Sequence, residues 1–146
     1  MTTKQHPNTK SPINTLQSYF KGKAEVIAVY LFGSYVRGLE SPASDIDIGI
    51  LLNTRDQAFA TIKRTQYLTE LGRMLRKDIH PVILNTAGEA LMKQVFEKGI
   101  CIIVNNHPKH AHFRMTMFSR IAAFGYYRRQ MQSGFIRKVS QVTTVG

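Results

Sequence analysis

The sequence predicts an α/β (α+β) fold: a small mixed β-sheet with flanking helices and a long C-terminal helix. Three observations carry this expectation. Short apolar runs rich in β-formers alternate with stretches whose apolar residues recur at helical spacing. With 146 residues, 43% of them hydrophobic, the chain can bury one core without disulfide or metal staples. Beyond Met117 the apolar residues fall three or four apart over most of the run, the mark of a helix. The organisation expected is a disordered N-terminus over 1–10, a core over 11–106, and a basic helical segment of the same domain over 107–146.

The elements follow in order. Ser11-Pro12 is an N-cap with proline at the first helical position, and Ile13, Leu16 and Phe20 then share a face until Lys21-Gly22-Lys23 ends the helix. Val26 to Phe32 is a continuous apolar run suited to a strand covered on both faces, and Ile46 to Leu52 is a second. Thr54 with Gln57 resembles a capping box, opening a helix that ends near Lys77. Its apolar face is Tyr67, Leu68, Leu71, Met74 and Leu75. Phe59 and Ile62 point elsewhere, which leaves open a kink or a later helix start.

Val82 to Leu84 is read as a third strand. Thr86 with Glu89 forms another capping box, leading into Leu91, Met92, Val95 and Phe96 and stopping at Gly99. Ile100 to Val104 is a fourth, short strand, and Cys101 within it is read as a buried, inert thiol. The C-terminal helix carries Met117, Ile121, Phe124, Met131 and Phe135, with Gly125 and Gly134 weakening it. Lys63 and Arg64 are read as solvated charges, and Tyr126-Tyr127 as packing residues.

The formal charge of +11 points to a polyanionic or acidic partner. From His107 to the end the charges are Lys109, Arg114, Arg120, Arg128, Arg129, Arg137 and Lys138, with no acid among them. On a helical wheel they scatter, which argues against a dedicated nucleic-acid groove. The polar first ten residues and the lack of a long apolar run point away from a signal peptide and a membrane span. A single cysteine agrees with a reducing, cytoplasmic setting.

The chemistry concentrates between the first two strands. The first ends in Gly33-Ser34, and Asp45-Ile46-Asp47 runs directly into the second. In extended chain, residues two apart share a side, so Asp45 and Asp47 aim two carboxylates at one place. Such a pair repels unless a cation sits between them, and hard oxygen donors suit Mg²⁺. Gly33 lets backbone approach a phosphate closely, and the Ser34 hydroxyl and following N–H groups can bind its oxygens. Arg37 either adds charge there or takes a structural pairing. At average residue usage the four-residue pattern arises by chance in only about one chain in several hundred of this size.

Gly33-Ser34, ten residues, then Asp45-x-Asp47 resembles the signature of the DNA polymerase β-like nucleotidyltransferase superfamily. The Leu31 to Leu52 stretch looks like its minimal nucleotidyltransferase branch, and the resemblance runs on weakly to about Val104. It implies two Mg²⁺ ions and transfer of a nucleoside monophosphate, usually AMP from ATP, onto a hydroxyl. By the resemblance Gly33 and Ser34 hold phosphates while Asp45 and Asp47 hold the metals. A third carboxylate is expected on a later strand, where this chain reads Asp78-Ile-His-Pro-Val-Ile-Leu84. Asp78 is assigned as third ligand and activator of the acceptor hydroxyl; alignment through Leu84-Asn85 would place His80 there instead.

Small members of this branch are commonly antitoxins whose partner is a HEPN-type ribonuclease toxin, silenced by AMP transfer onto a tyrosine. The resemblance therefore implies that activity and that partner here. Two alternatives stand beside it: transfer onto a small hydroxylated molecule such as an aminoglycoside, and a non-catalytic antitoxin that acts by binding alone.

Overall fold

The computed structural model describes residues 12–33, 36 and 45–143, with side chains described as far as 134. Ser11 and the expected disordered segment 1–10 lie outside these residues, as do Ser34 and Arg37. The element order is α1 (Pro12–Phe20), β1 (Val26–Phe32), β2 (Ile46–Leu52), α2 (Gln57–Leu75), β3 (Ile79–Ile83), a 3₁₀ turn (Leu84–Thr86), α3 (Glu89–Lys98), β4 (Ile100–Val104) and α4 (His107–Thr143). One four-stranded sheet has the order β3-β2-β1-β4. β1 pairs antiparallel with both β2 and β4, and β2 pairs parallel with β3, so the sheet is mixed as its sequence pattern predicts.

Two apolar layers sandwich the sheet. Beneath α1 and α2 lie Val29 and Leu31 of β1, Ile46, Ile48 and Ile50 of β2, and Ile79 and Ile83 of β3, joined by Leu16, Phe20, Tyr67 and Leu71. On the opposite face Ala28, Tyr30, Phe32 and Leu51 meet Met92 and Val95 of α3 and Met117 of α4. Both central strands are thus covered twice, which is why they read as unbroken apolar runs. Each buried aliphatic side chain stabilises the fold by about 1.5–3 kcal/mol relative to exposure. A buried hydrogen bond of 2.5 Å between the Tyr30 hydroxyl and His110 Nε2 fixes the start of α4 to β1.

Several local expectations change. The N-cap of α2 is Asp56, whose Oδ1 accepts from the N–H groups of Ala58 and Phe59, and Thr54 Oγ1 serves Asp56 N instead. The helix starts at Gln57, so Phe59 and Ile62 lie within it, and it ends where Arg76 takes a left-handed φ of 50°. Of its expected apolar face only Tyr67 and Leu71 are buried, while Leu68 and Met74 are exposed. β3 begins three residues earlier than Val82, and Leu84 lies in the 3₁₀ turn after it. The capping box at Thr86 does not form: Gly88 is the N-cap of α3, with no side-chain bond.

Cys101 is exposed, not buried. Its strand lies at the sheet edge, where both Ile100 and Cys101 are exposed. Lys63 and Arg64 are not free charges. Lys63 Nζ lies 3.7 Å from Glu25 Oε1, and Arg64 Nε donates to the Pro81 carbonyl at 2.9 Å. The helix α4 runs unbroken through Gly125 and Gly134. Among the described residues, only its first turns touch the core, through His110, Phe113, Met117 and Ile121. Beyond them Phe124, Tyr126, Tyr127 and Met131 are exposed, so Tyr126 and Tyr127 do not pack into the core as expected.

Candidate active site

The site is built at one end of the β1–β2 pair. Antiparallel pairing sets Phe32 opposite Asp47, so Gly33 emerges directly beside the Asp47 side chain. The approach is close enough to dictate the residue: a Cβ on Gly33 would lie 2.2 Å from Asp47 Oδ2, and φ is +79°. Both facts demand glycine, one through space and the other through backbone conformation. Sequence reasoning gave Gly33 a phosphate to approach; the structure adds a carboxylate. Only the strand pairing creates that contact, so no local pattern announces it.

Asp45 stands one residue before β2 and Asp47 one residue inside it, with Ile46 fully buried between them. The two carboxylates therefore share the sheet face opposite α1 and α2. Burial raises the Asp47 pKa above its ordinary value; the nearby His80 pulls it down and Asp45 pushes it further up. An acid disfavoured in its charged form by its surroundings gains from a cation. Two converging carboxylates are hard oxygen donors of the kind Mg²⁺ takes, and they fit that ion.

β3 supplies the third side. Its parallel register sets His80 beside Asp47, and His80 Nε2 lies 2.9 Å from Asp45 Oδ2. Asp78 precedes the strand and is exposed, and its backbone carbonyl accepts from Ile46 N at 2.9 Å. Of the two β3 candidates the structure thus brings His80 to the carboxylate pair. Among the described residues no three His, Cys, Asp or Glu side chains form a ready metal cluster. Ser34 and Arg37 lie outside the described residues. Val36, between them, packs against the core beneath α1 and α2.

Comparison with known proteins gives this geometry a family. The family model described as polymerase beta, nucleotidyltransferase matches residues 14–108. The chain belongs to the polymerase beta nucleotidyltransferase family. The matched segment of this nucleotidyltransferase-family chain contains Gly33, Ser34, Arg37, Asp45, Asp47, Asp78 and His80.

The protein adenylyltransferase MntA of Shewanella oneidensis is 38% identical over 72 residues, 49% of this chain and 49% of that protein. The aligned stretch thus spans about half the length of the curated relative. Among solved structures, a chain of a toxin–antitoxin complex with AMP-PNP superposes with a TM-score of 0.64 at 25% identity, covering 86% of this chain and 96% of that one. A chain from the complex of a tri-AMPylated Shewanella oneidensis HEPN toxin with its MNT antitoxin gives 0.62 at 23%, covering 86% and 96%. At that identity the second likeness is one of fold. Among the described residues no helix is long and apolar enough to cross a membrane.

Proposed function

We propose that this family member is a Mg²⁺-dependent adenylyltransferase that moves AMP from ATP onto a tyrosine of a HEPN-type ribonuclease toxin, acting as its antitoxin in the cytoplasm. The observation that carries the proposal is the pair Asp45 and Asp47, presented on one sheet face against the backbone of Gly33. Family membership supports nucleotidyl transfer. The adenylyltransferase name of the 38% relative and the AMP-PNP toxin–antitoxin likeness support AMP and a toxin acceptor.

Asp45 and Asp47 would hold the metal, probed most simply as a pair of Mg²⁺ ions, whose chemistry is to neutralise phosphate charge and lower the cost of the leaving pyrophosphate. Gly33 and Ser34 would cradle the phosphates through backbone N–H groups and a hydroxyl, and Arg37 would add charge. Asp78 is the sequence candidate for the third position, which would accept the proton of the attacking hydroxyl. That help matters because a phenol with an ordinary pKa of about 10 is a poor nucleophile at neutral pH. The family fold supplies positioning and electrostatics, which is most of what phosphoryl-type transfer requires.

The test is incubation of the purified chain with labelled ATP, Mg²⁺ and the ribonuclease encoded by the neighbouring reading frame, followed by peptide mass spectrometry. Label on one or a few tyrosines, with ribonuclease activity falling in step, is the expected result. Label on a small molecule or RNA, with the partner unmodified, would remove the antitoxin role and leave nucleotidyl transfer. Inhibition of the ribonuclease without any label would reduce the chain to a binding antitoxin.

A further inference from the structure

His80 occupies a place that the functional assignment above does not use. It pairs in parallel register with Asp47, yet its hydrogen bond goes to Asp45, Nε2 to Oδ2 at 2.9 Å. Both side chains are about half exposed, 56% for His80 and 47% for Asp45, so neither is needed to fill the core. No three metal-binding side chains converge among the described residues. His80 is therefore engaged with one carboxylate, not gathered with both around a single point.

A carboxylate rotates about its last bond, and a lone ligand that rotates loses entropy each time it is fixed by a cation. A donor on one oxygen removes that freedom and leaves the other oxygen for the metal. This is how hydrogen-bonded neighbours of a ligand raise metal affinity without touching the ion. The strand arrangement also explains why the donor comes from β3. Asp78 commits its carbonyl to Ile46 N and so locks β3 beside β2, and two residues later, on the same side, His80 reaches Asp45.

We propose that His80 is a positioning residue for this site: its Nε2–H holds Asp45 by Oδ2, so that the metal meets a pre-set carboxylate. This rests on the reading of Asp45 and Asp47 as the metal carboxylates. It gives β3 a hydrogen-bond donor at the place where alignment through Leu84-Asn85 would put the third acid.

The experiment reads metal binding directly, with no acceptor present. Free Mn²⁺ is followed by its paramagnetic resonance signal as it is titrated into the full chain, with and without a non-hydrolysable ATP analogue. Two donor-free variants, His80→Ala and the strand-favouring His80→Val, should weaken Mn²⁺ binding about 10-fold or more. His80→Gln, which returns an N–H near the same place, should recover a large part of the loss. Melting temperatures should be unchanged in all three variants, since the His80 side chain is half exposed.

Unaltered Mn²⁺ affinity in both donor-free variants would overturn the proposal. So would a His80→Gln chain as weak as His80→Ala, because then the imidazole nitrogen itself would be the ligand. If the parent chain binds no Mn²⁺ in either condition, the metal reading of Asp45 and Asp47 falls first. That outcome is distinct from a parent that binds and variants that bind equally well.

Discussion

Along β2, Ile46, Ile48 and Ile50 turn toward α1 and α2 and are completely buried, whereas Asp47, Gly49 and Leu51 turn the other way. On that second side the cover is graded. Leu51 lies under the α3 and α4 layer, Gly49 lies against Leu84, and Asp47 at the far end is only half covered. The same seven residues thus hold the fold together on one face and carry the proposed chemistry on the other. The lesson is that a period of two lets a strand separate stability from reactivity: changes on one face should leave the other nearly untouched.

The sharpest test of that separation removes the chemistry alone. Asp47→Ala should reduce AMP transfer about 10³-fold or more, since a metal carboxylate contributes several kcal/mol of transition-state stabilisation. Its melting temperature should not fall, because the carboxylate it deletes is disfavoured by its surroundings. Label transfer and a thermal melt on one sample decide it; an unfolded variant would make Asp47 structural.

One residue along, the effect should invert. Ile48→Ala leaves a cavity beneath α1 and α2 and should cost about 2–5 kcal/mol in urea unfolding. Transfer per folded molecule should stay near the parent value at low temperature. A large loss of transfer in the folded fraction would mean the two faces are coupled.

Gly33→Ala probes the seam between the faces. The φ of +79° and the predicted collision with Asp47 Oδ2 should cost about 1–3 kcal/mol of stability and displace the carboxylate. Transfer should drop with it, unlike Ile48→Ala. Retention of full activity would show that the Gly33–Asp47 contact is dispensable.

The smallest effect is on pH. The folded pKa of Asp47 lies above its ordinary value of 3.8, so the folded chain holds that proton more tightly than the unfolded one. The associated stability is present below that ordinary value and is lost as pH climbs through the raised one. Asp47→Asn should therefore gain on the parent as pH rises across that window, with the two chains converging in stronger acid. Melting curves from pH 3 to 7 at fixed ionic strength measure the difference, and parallel curves would remove the burial argument.

How much of this was legible in the sequence depended on burial. β1 and β2 were readable because both faces are covered and nothing polar interrupts them beyond Asp47. β3 was read short because His80 faces the open side and Pro81 is a poor strand signal. The start of α2 was read at Thr54, whereas Asp56 two residues on takes the N-cap, a residue type that propensity ranks no lower. For α4 the helical period was plain, but period is the same for a covered helix and a bare one, so the exposure of Phe124 and Met131 was invisible. At the site, the Asp45–Asp47 pair was local and legible. The contacts of Gly33 with Asp47 and of His80 with Asp45 span strand pairings, and register is not written in either strand by itself.

The outer edge of β3 has a consequence for how this molecule meets others. Because the Asp78 carbonyl bonds inward to Ile46, Asp78, His80 and Val82 point their main-chain groups at β2, and Ile79, Pro81 and Ile83 point theirs outward. The middle one of those three has no N–H to offer, and its carbonyl already accepts from Arg64. An incoming strand would find its central rung missing. Growth of the sheet at this border is thereby disfavoured: a second copy or an extended peptide would lose that rung and have to displace a guanidinium. Assembly on that side is thereby biased toward matching side-chain surfaces, which can be selective for one partner, and away from backbone ladders, which accept almost any chain.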